Sequence, residues 1–87
     1  MADLFENHAP GLSAPAADGA PIVPSDAADL PVTSRAIWIG AAGDLAVELA
    51  EGGAVVLAGV PGGTLLPLRA RAVRATGTTA DALVALW

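Results

Sequence analysis

From Arg35 onward the chain is a series of short apolar runs cut at intervals by glycine and proline, and that spacing is what most limits its fold. Residues 36–39 (Ala-Ile-Trp-Ile) precede Gly40-Ala-Ala-Gly43, residues 44–50 precede Glu51-Gly52-Gly53, and residues 54–58 lead to Pro61-Gly62-Gly63. Residues 65–76 run on to Gly77, and residues 82–87 close the chain. Apolar runs this short with turn signals about every 8–12 residues read as strands of an all-β unit. Within 44–50, Leu45, Val47 and Leu49 alternate with Ala46, Glu48 and Ala50, the period of a strand with one buried face. Glu51-Gly52-Gly53 reads as a hairpin turn whose glycines supply positive φ. The fold class expected is all-β, a small antiparallel β-sandwich or barrel-like meander.

Residues 65–76 read as one long strand, with Leu66, Leu68, Ala70 and Ala72 on one face and Arg69 and Arg71 on the other. Strict alternation would turn Arg74 toward the apolar face, so a one-residue bulge or sharp bend is expected near Ala72–Val73. The apolar final run predicts a packed C-terminus, Trp87 included. Trp38 is expected in the core, since aromatic residues alternate into sandwich interiors.

Charge divides the chain in a different way. Residues 1–34 carry five acids (Asp3, Glu6, Asp18, Asp26, Asp29), no base, and five of the seven prolines. Residues 35–87 carry four acids against four arginines. Residues 1–19 show no sustained period and read as an extended N-terminal arm, with Leu4, Phe5 and Leu12 as candidate anchors; residues 20–87 form the β-module. Residues 20–24 (Ala-Pro-Ile-Val-Pro) suit a short edge strand, and Ser25 or Asp26 can cap one helical turn ended by Pro31. Deleting residues 1–19 should on this reading leave the module folded while weakening its attachments.

Composition removes several functions. There is no cysteine and only one histidine, His8, which excludes disulfides and a Cys/His zinc site. Alanine supplies 21 of the apolar residues, so the core is smaller than the hydrophobic fraction suggests. A module of about this size buries only about 60% of its unfolded surface, which favours help from oligomerisation or docking. A net charge of −5 argues against nucleic acid, the acidic start does not resemble a signal peptide, and no apolar run is long enough to span a bilayer.

The local motifs read as structure. Gly59-Val-Pro-Gly62-Gly63-Thr64 lacks the lysine of a phosphate loop. Gly11-Leu-Ser13-Ala-Pro15 lacks the final glycine and preceding strand of a nucleophile elbow. The pairs Asp26/Asp29 and Glu48/Glu51 have the spacing of carboxylate dyads but no cleft to shift a pKa, and read as capping or solvated groups. No catalytic residue, cofactor or metal ligand is assigned, and the chain is not expected to be an enzyme. The concentrated feature is Arg69, Arg71 and Arg74. These pair with Glu48 or Asp44 on a solvated face, or they form an interface, since arginine is enriched at protein contacts and forks onto carboxylates. The candidate interface residues are Phe5, Arg35, Arg69, Arg71 and Arg74.

A longer pattern is present as well. Pro24-Ser-Asp-Ala-Ala-Asp-Leu30, Thr33-Ser-Arg-Ala-Ile-Trp-Ile-Gly40, Gly43-Asp-Leu, Gly59-Val-Pro-Gly-Gly-Thr-Leu-Leu-Pro-Leu-Arg69, Ala75-Thr-Gly-Thr-Thr-Ala80 and Leu86-Trp87 occur in consistent order. Together they resemble the spike base proteins of gene transfer agents and related tailed phages. The resemblance implies a virion structural protein at the fivefold vertices of the head, linking capsid to spike fibre. It implies a homo-oligomer, a pentamer, with the major capsid protein and the spike fibre protein as partners, in a particle head assembled in the bacterial cytoplasm. It carries no catalytic residue, and it makes Arg35 and Arg69 candidates for pairing across or between subunits. The alternative is a small β ligand-binding module, for example for a host-surface glycan, although two Trp, one Phe and no Tyr give a sugar little to stack on. A hydrolase comes third, for want of a paired nucleophile and base.

Overall fold

The computed structural model describes residues 16–87, which form an all-β sandwich. Its strands are β1 (Gly19–Pro21), β2 (Ala36–Ala41), β3 (Gly43–Leu49), β4 (Ala54–Val60), β5 (Thr64–Leu66), β6 (Ala70–Val73) and β7 (Asp81–Leu86). Four of them make one sheet in the order β1-β7-β2-β5, and three make a second in the order β4-β3-β6. Every pairing is antiparallel. Of the two architectures expected, the sandwich is the one adopted. Only β3 and β4 are both consecutive and paired, so the connections are not those of a meander. The single residue Ala42 carries the chain from β2 in one sheet to β3 in the other.

The core lies between the sheets. Ile37 and Ile39 of β2 and Leu83 and Ala85 of β7 meet Leu45 and Val47 of β3 and Ala70 and Val73 of β6. Each large aliphatic side chain taken fully out of water contributes about 1.5–3 kcal/mol. Trp87 packs against this cluster from the end of the chain. Its carbonyl accepts from the amides of Ala17 (2.6 Å) and Asp18 (2.8 Å), and its own amide donates to Asp18 O (2.8 Å). The C-terminus is packed, as its apolar run predicts, and residues 17–19 are already tied to β7.

The hairpin at Glu51-Gly52-Gly53 forms between β3 and β4, with Gly52 at a φ of 104°. The long strand expected over residues 65–76 does not form. It splits into β5 and β6, which belong to different sheets. Pro67 is the cause, since it lacks an amide to continue a ladder. Leu68 N–H donates back to Leu66 O (2.9 Å), and the chain turns the corner between the sheets. Ser34 holds that corner. Its buried hydroxyl donates to Leu68 O (2.8 Å) and accepts from Ala70 N (3.0 Å).

Two register shifts place side chains. Val47 pairs with Val73 and Glu48 with Ala72, but Leu49 pairs with Ala70, which makes Arg71 the extra residue of a bulge. The expected bulge is therefore present, one position earlier than Ala72. The second shift lies between Gly43 and Leu45 on β3, opposite residues 57–60 of β4. There Gly59 adopts a φ of 68°, and its amide donates to Asp44 Oδ1 (2.9 Å).

Candidate interaction surface

The arginine cluster is built by the β6 bulge. Because Arg71 is the extra residue, Arg71 and Arg74 both reach Glu48 on β3. Arg71 Nη2 donates to Glu48 Oε1, and Arg74 Nε donates to Glu48 Oε2 (2.6 Å). The other ends of both guanidinium groups reach Asp29, Arg74 Nη2 at 3.2 Å and Arg71 Nη1 at 3.4 Å. Arg74 Nη1 also donates to the carbonyls of Ser25 and Ala28, each at 3.3 Å. The network clamps the 25–29 turn onto β6. Ser25 caps that turn, its Oγ accepting from Ala27 N (3.2 Å) and Ala28 N (3.1 Å). Asp26 takes two bonds from Thr76, one from the amide (2.9 Å) and one from the hydroxyl (2.7 Å).

These contacts set the charges. The hydrogen bond from Arg74 holds the Glu48 carboxyl below its ordinary range, with burial opposing. The amide of Thr76 does the same to Asp26, helped by the Thr76 hydroxyl. Glu48 in turn raises Arg74. The groups are partly solvated, so the network orients the turn more than it stabilises the fold. It answers the carboxylate readings too. Glu48 and Glu51 do not converge, because Glu51 lies in the hairpin turn, and Asp26 and Asp29 are bound by Thr76 and the arginines. Among the described residues, no group of three or more His, Cys, Asp or Glu side chains comes together as a metal site.

The five candidate interface residues separate into three sets. Arg71 and Arg74 spend their donors inside the chain. Arg35 and Arg69 form no ion pair with a carboxylate among the described residues. They are neighbours in the backbone sense, since Ser34, beside Arg35, bridges Leu68 and Ala70 on either side of Arg69. Phe5 lies outside the described residues, as do Leu4 and Leu12.

Trp38 departs from expectation. It is 41% exposed, while Ile37 and Ile39 on either side are fully buried. Strand alternation cannot bury three consecutive residues on one face, and here the two isoleucines take the core. Trp38 pairs with Leu65 on one side and Val84 on the other, and Val84 pairs with Pro21. One apolar rung therefore crosses the outer face of the four-stranded sheet. Leu65 on β5 is 51% exposed, and Val56 on β4 is 58% exposed. The signal that could have found Trp38 was its position between two β-branched residues.

No family model matches this chain, and no curated protein matches it. A solved structure does. A chain from the capsid of a native GTA (gene transfer agent) particle, computed with C5 symmetry, is 38% identical in sequence. The alignment covers 98% of this chain and 99% of that one, with a TM-score of 0.78. A small sandwich that offers exposed apolar strands and free arginines, matched end to end in this way, defines a class: structural proteins of virion-like particles. The chain belongs to the family of that gene-transfer-agent capsid component.

Proposed function

We propose that this chain is a spike base protein, a subunit of a ring that stands on the fivefold vertices of a particle head and joins the capsid to a spike fibre. The observation that carries the reading is the end-to-end match to a capsid chain whose particle was computed with C5 symmetry. The ordered motifs of residues 24–87 support the same family member. A fivefold site calls for a pentamer, with the major capsid protein below and the fibre above. Arg35 and Arg69, free of carboxylates within the described residues, are the arginines available to a partner's acids. Phe5 is the anchor of an arm that fastens to a neighbour or to the capsid. The role is mechanical, without catalysis or cofactor, in the head of a particle assembled in the bacterial cytoplasm.

Reconstruction of particles that contain this chain, with the vertices refined at fivefold symmetry, tests the proposal. The expected result is density for this fold in rings of five beneath each fibre. Copies spread over the capsid faces, or particles that lack the chain, would overturn it.

A further inference from the structure

Large apolar side chains are exposed beside both edges of the three-stranded sheet. The first flank is the β4 edge of the three-stranded sheet, continued through the turn at Pro61-Gly62-Gly63 into β5, an edge strand of the other sheet. It carries Val55, Val56 and Leu65, with Trp38 next to Leu65. The second is where residues 22–34 run beside β6, bonded to it through Ser25 N–Val73 O, Leu30 N–Arg71 O and Ser34 N–Ala70 O. It carries Val23, 84% exposed, and Val32.

The sheet edges differ in how they are protected. That same segment covers the outer edge of β6. β1 and β5 are three residues each, and prolines sit at or beside their ends, Pro21 and Pro67. β4 has seven residues (Ala-Val-Val-Leu-Ala-Gly-Val), with no charge and no proline. It is an edge strand of its sheet, and only its far end is twisted by the Gly59 bulge. Before that bulge nothing among the described residues covers the edge, and a long, neutral, apolar edge of this kind is one that a partner covers.

We propose that the β4/β5 flank is the docking surface for a second copy of this chain, and that it receives the Val23/Val32 flank of that copy. The inference deepens the ring proposed above and rests on it, because rotational symmetry other than a simple twofold requires two different surfaces to meet. The same molecule carries both surfaces, at the two edges of the three-stranded sheet. Residues 54–60 and 64–66 on the first flank hold no Asp, Glu, Lys or Arg, and on the second, residues 22–34, Asp26 is hydrogen-bonded by Thr76 and Asp29 is paired with Arg71 and Arg74. Copies with a net charge of −5 repel one another elsewhere, and these flanks meet without burying an unpaired charge. Pro21 and Pro24 bracket Val23 and lack amides, so the contact is made by side chains, with Val23 as the projecting group. A shallow groove on the outer face of the β4 sheet, lined by Ala46, Ala54, Val55 and Val56 and by the paired Glu48 and Arg74, lies beside the receiving edge.

The chain contains no cysteine, so single introduced thiols report cleanly. Full-length V23C and V56C proteins are mixed and treated with a short thiol-to-thiol cross-linker, and each is also treated alone. The expected product is the mixed V23C–V56C pair, in large excess over either like pair, with a closed ladder from the double variant. Preferential V56C–V56C pairs would overturn the inference. So would an oligomer, by mass, that gives no mixed pair; that result would leave the ring itself standing. A chain that is monomeric by mass would overturn the ring together with this contact. As a second measurement, V56R, at an exposed position, should keep its β-sheet circular dichroism and weaken self-association by about tenfold or more. Unchanged association of V56R would count against the flank.

Discussion

Replacing Ser34 with alanine removes the hydroxyl that holds the corner between the two sheets. Leu68 O then loses its donor and Ala70 N its acceptor, in a site that is almost fully buried. Leaving buried polar groups unpaired costs about 1–3 kcal/mol, so S34A should lower the urea midpoint by that equivalent. A midpoint equal to that of the unaltered protein would mean that the corner is held by something else. Nothing local in the sequence marks Ser34 for this role, because its partners lie 34 and 36 positions away. Trp38 shows the same dependence. Its alternation with Ile37 and Ile39 is legible in the sequence, but which of the two faces becomes the core depends on what packs against it. The arginines were legible in part: pairing with Glu48 is one of the two readings their sequence allows, and Arg71 and Arg74 do so.

At the scale of elements, glycine and proline punctuation located most strand ends. Residues 36–39, 44–50, 54–58 and 82–87 all fall on strands or within a residue or two of their bounds. The run at 65–76 reads as one strand but forms two, since period-two alternation continues through Pro67 and periodicity does not register a missing amide. The N-terminal boundary has a related lesson. β1 begins at Gly19, and Ala17 and Asp18 bond to Trp87, so a cut after residue 15 and a cut after residue 19 are different experiments. Removing residues 1–15 leaves the three backbone bonds with Trp87 in place. Removing residues 1–19 breaks the three backbone bonds with Trp87 and should lower Tm by roughly 4 °C or more. Equal melting temperatures for the two truncations would show that this pairing contributes nothing.

For the whole molecule, acid is the informative perturbation. Glu48 and Asp26 are held below the ordinary carboxylate range, Glu48 by Arg74 and Asp26 by Thr76. A carboxyl depressed in the folded state contributes stability that is fully present above its unfolded pKa and is lost as pH falls through its folded pKa. Urea midpoints should therefore hold steady from about pH 7 to pH 5 and decline below about pH 4. E48Q and D26N, each less stable at neutral pH, should show a shallower decline. Midpoints that stay level to pH 3 would mean that neither carboxylate is engaged in solution as it is here.

By itself the sequence determined the all-β class, most of the strand positions, the need for a bulge beside the arginines, and the absence of disulfide or Cys/His zinc support. These follow from properties that act within a few residues: side-chain alternation, the positive φ open to glycine, the missing amide of proline. Only the tertiary structure decided which sheet each strand joins, that Pro67 turns a corner, that Ser34 ties it, and that Trp38 faces out. It also decided that exposed apolar residues are left beside both edges of the three-stranded sheet. Those outcomes depend on groups distant in the chain competing for one small core. With Ile37 and Ile39 filling it from β2, the tryptophan between them is left on the surface.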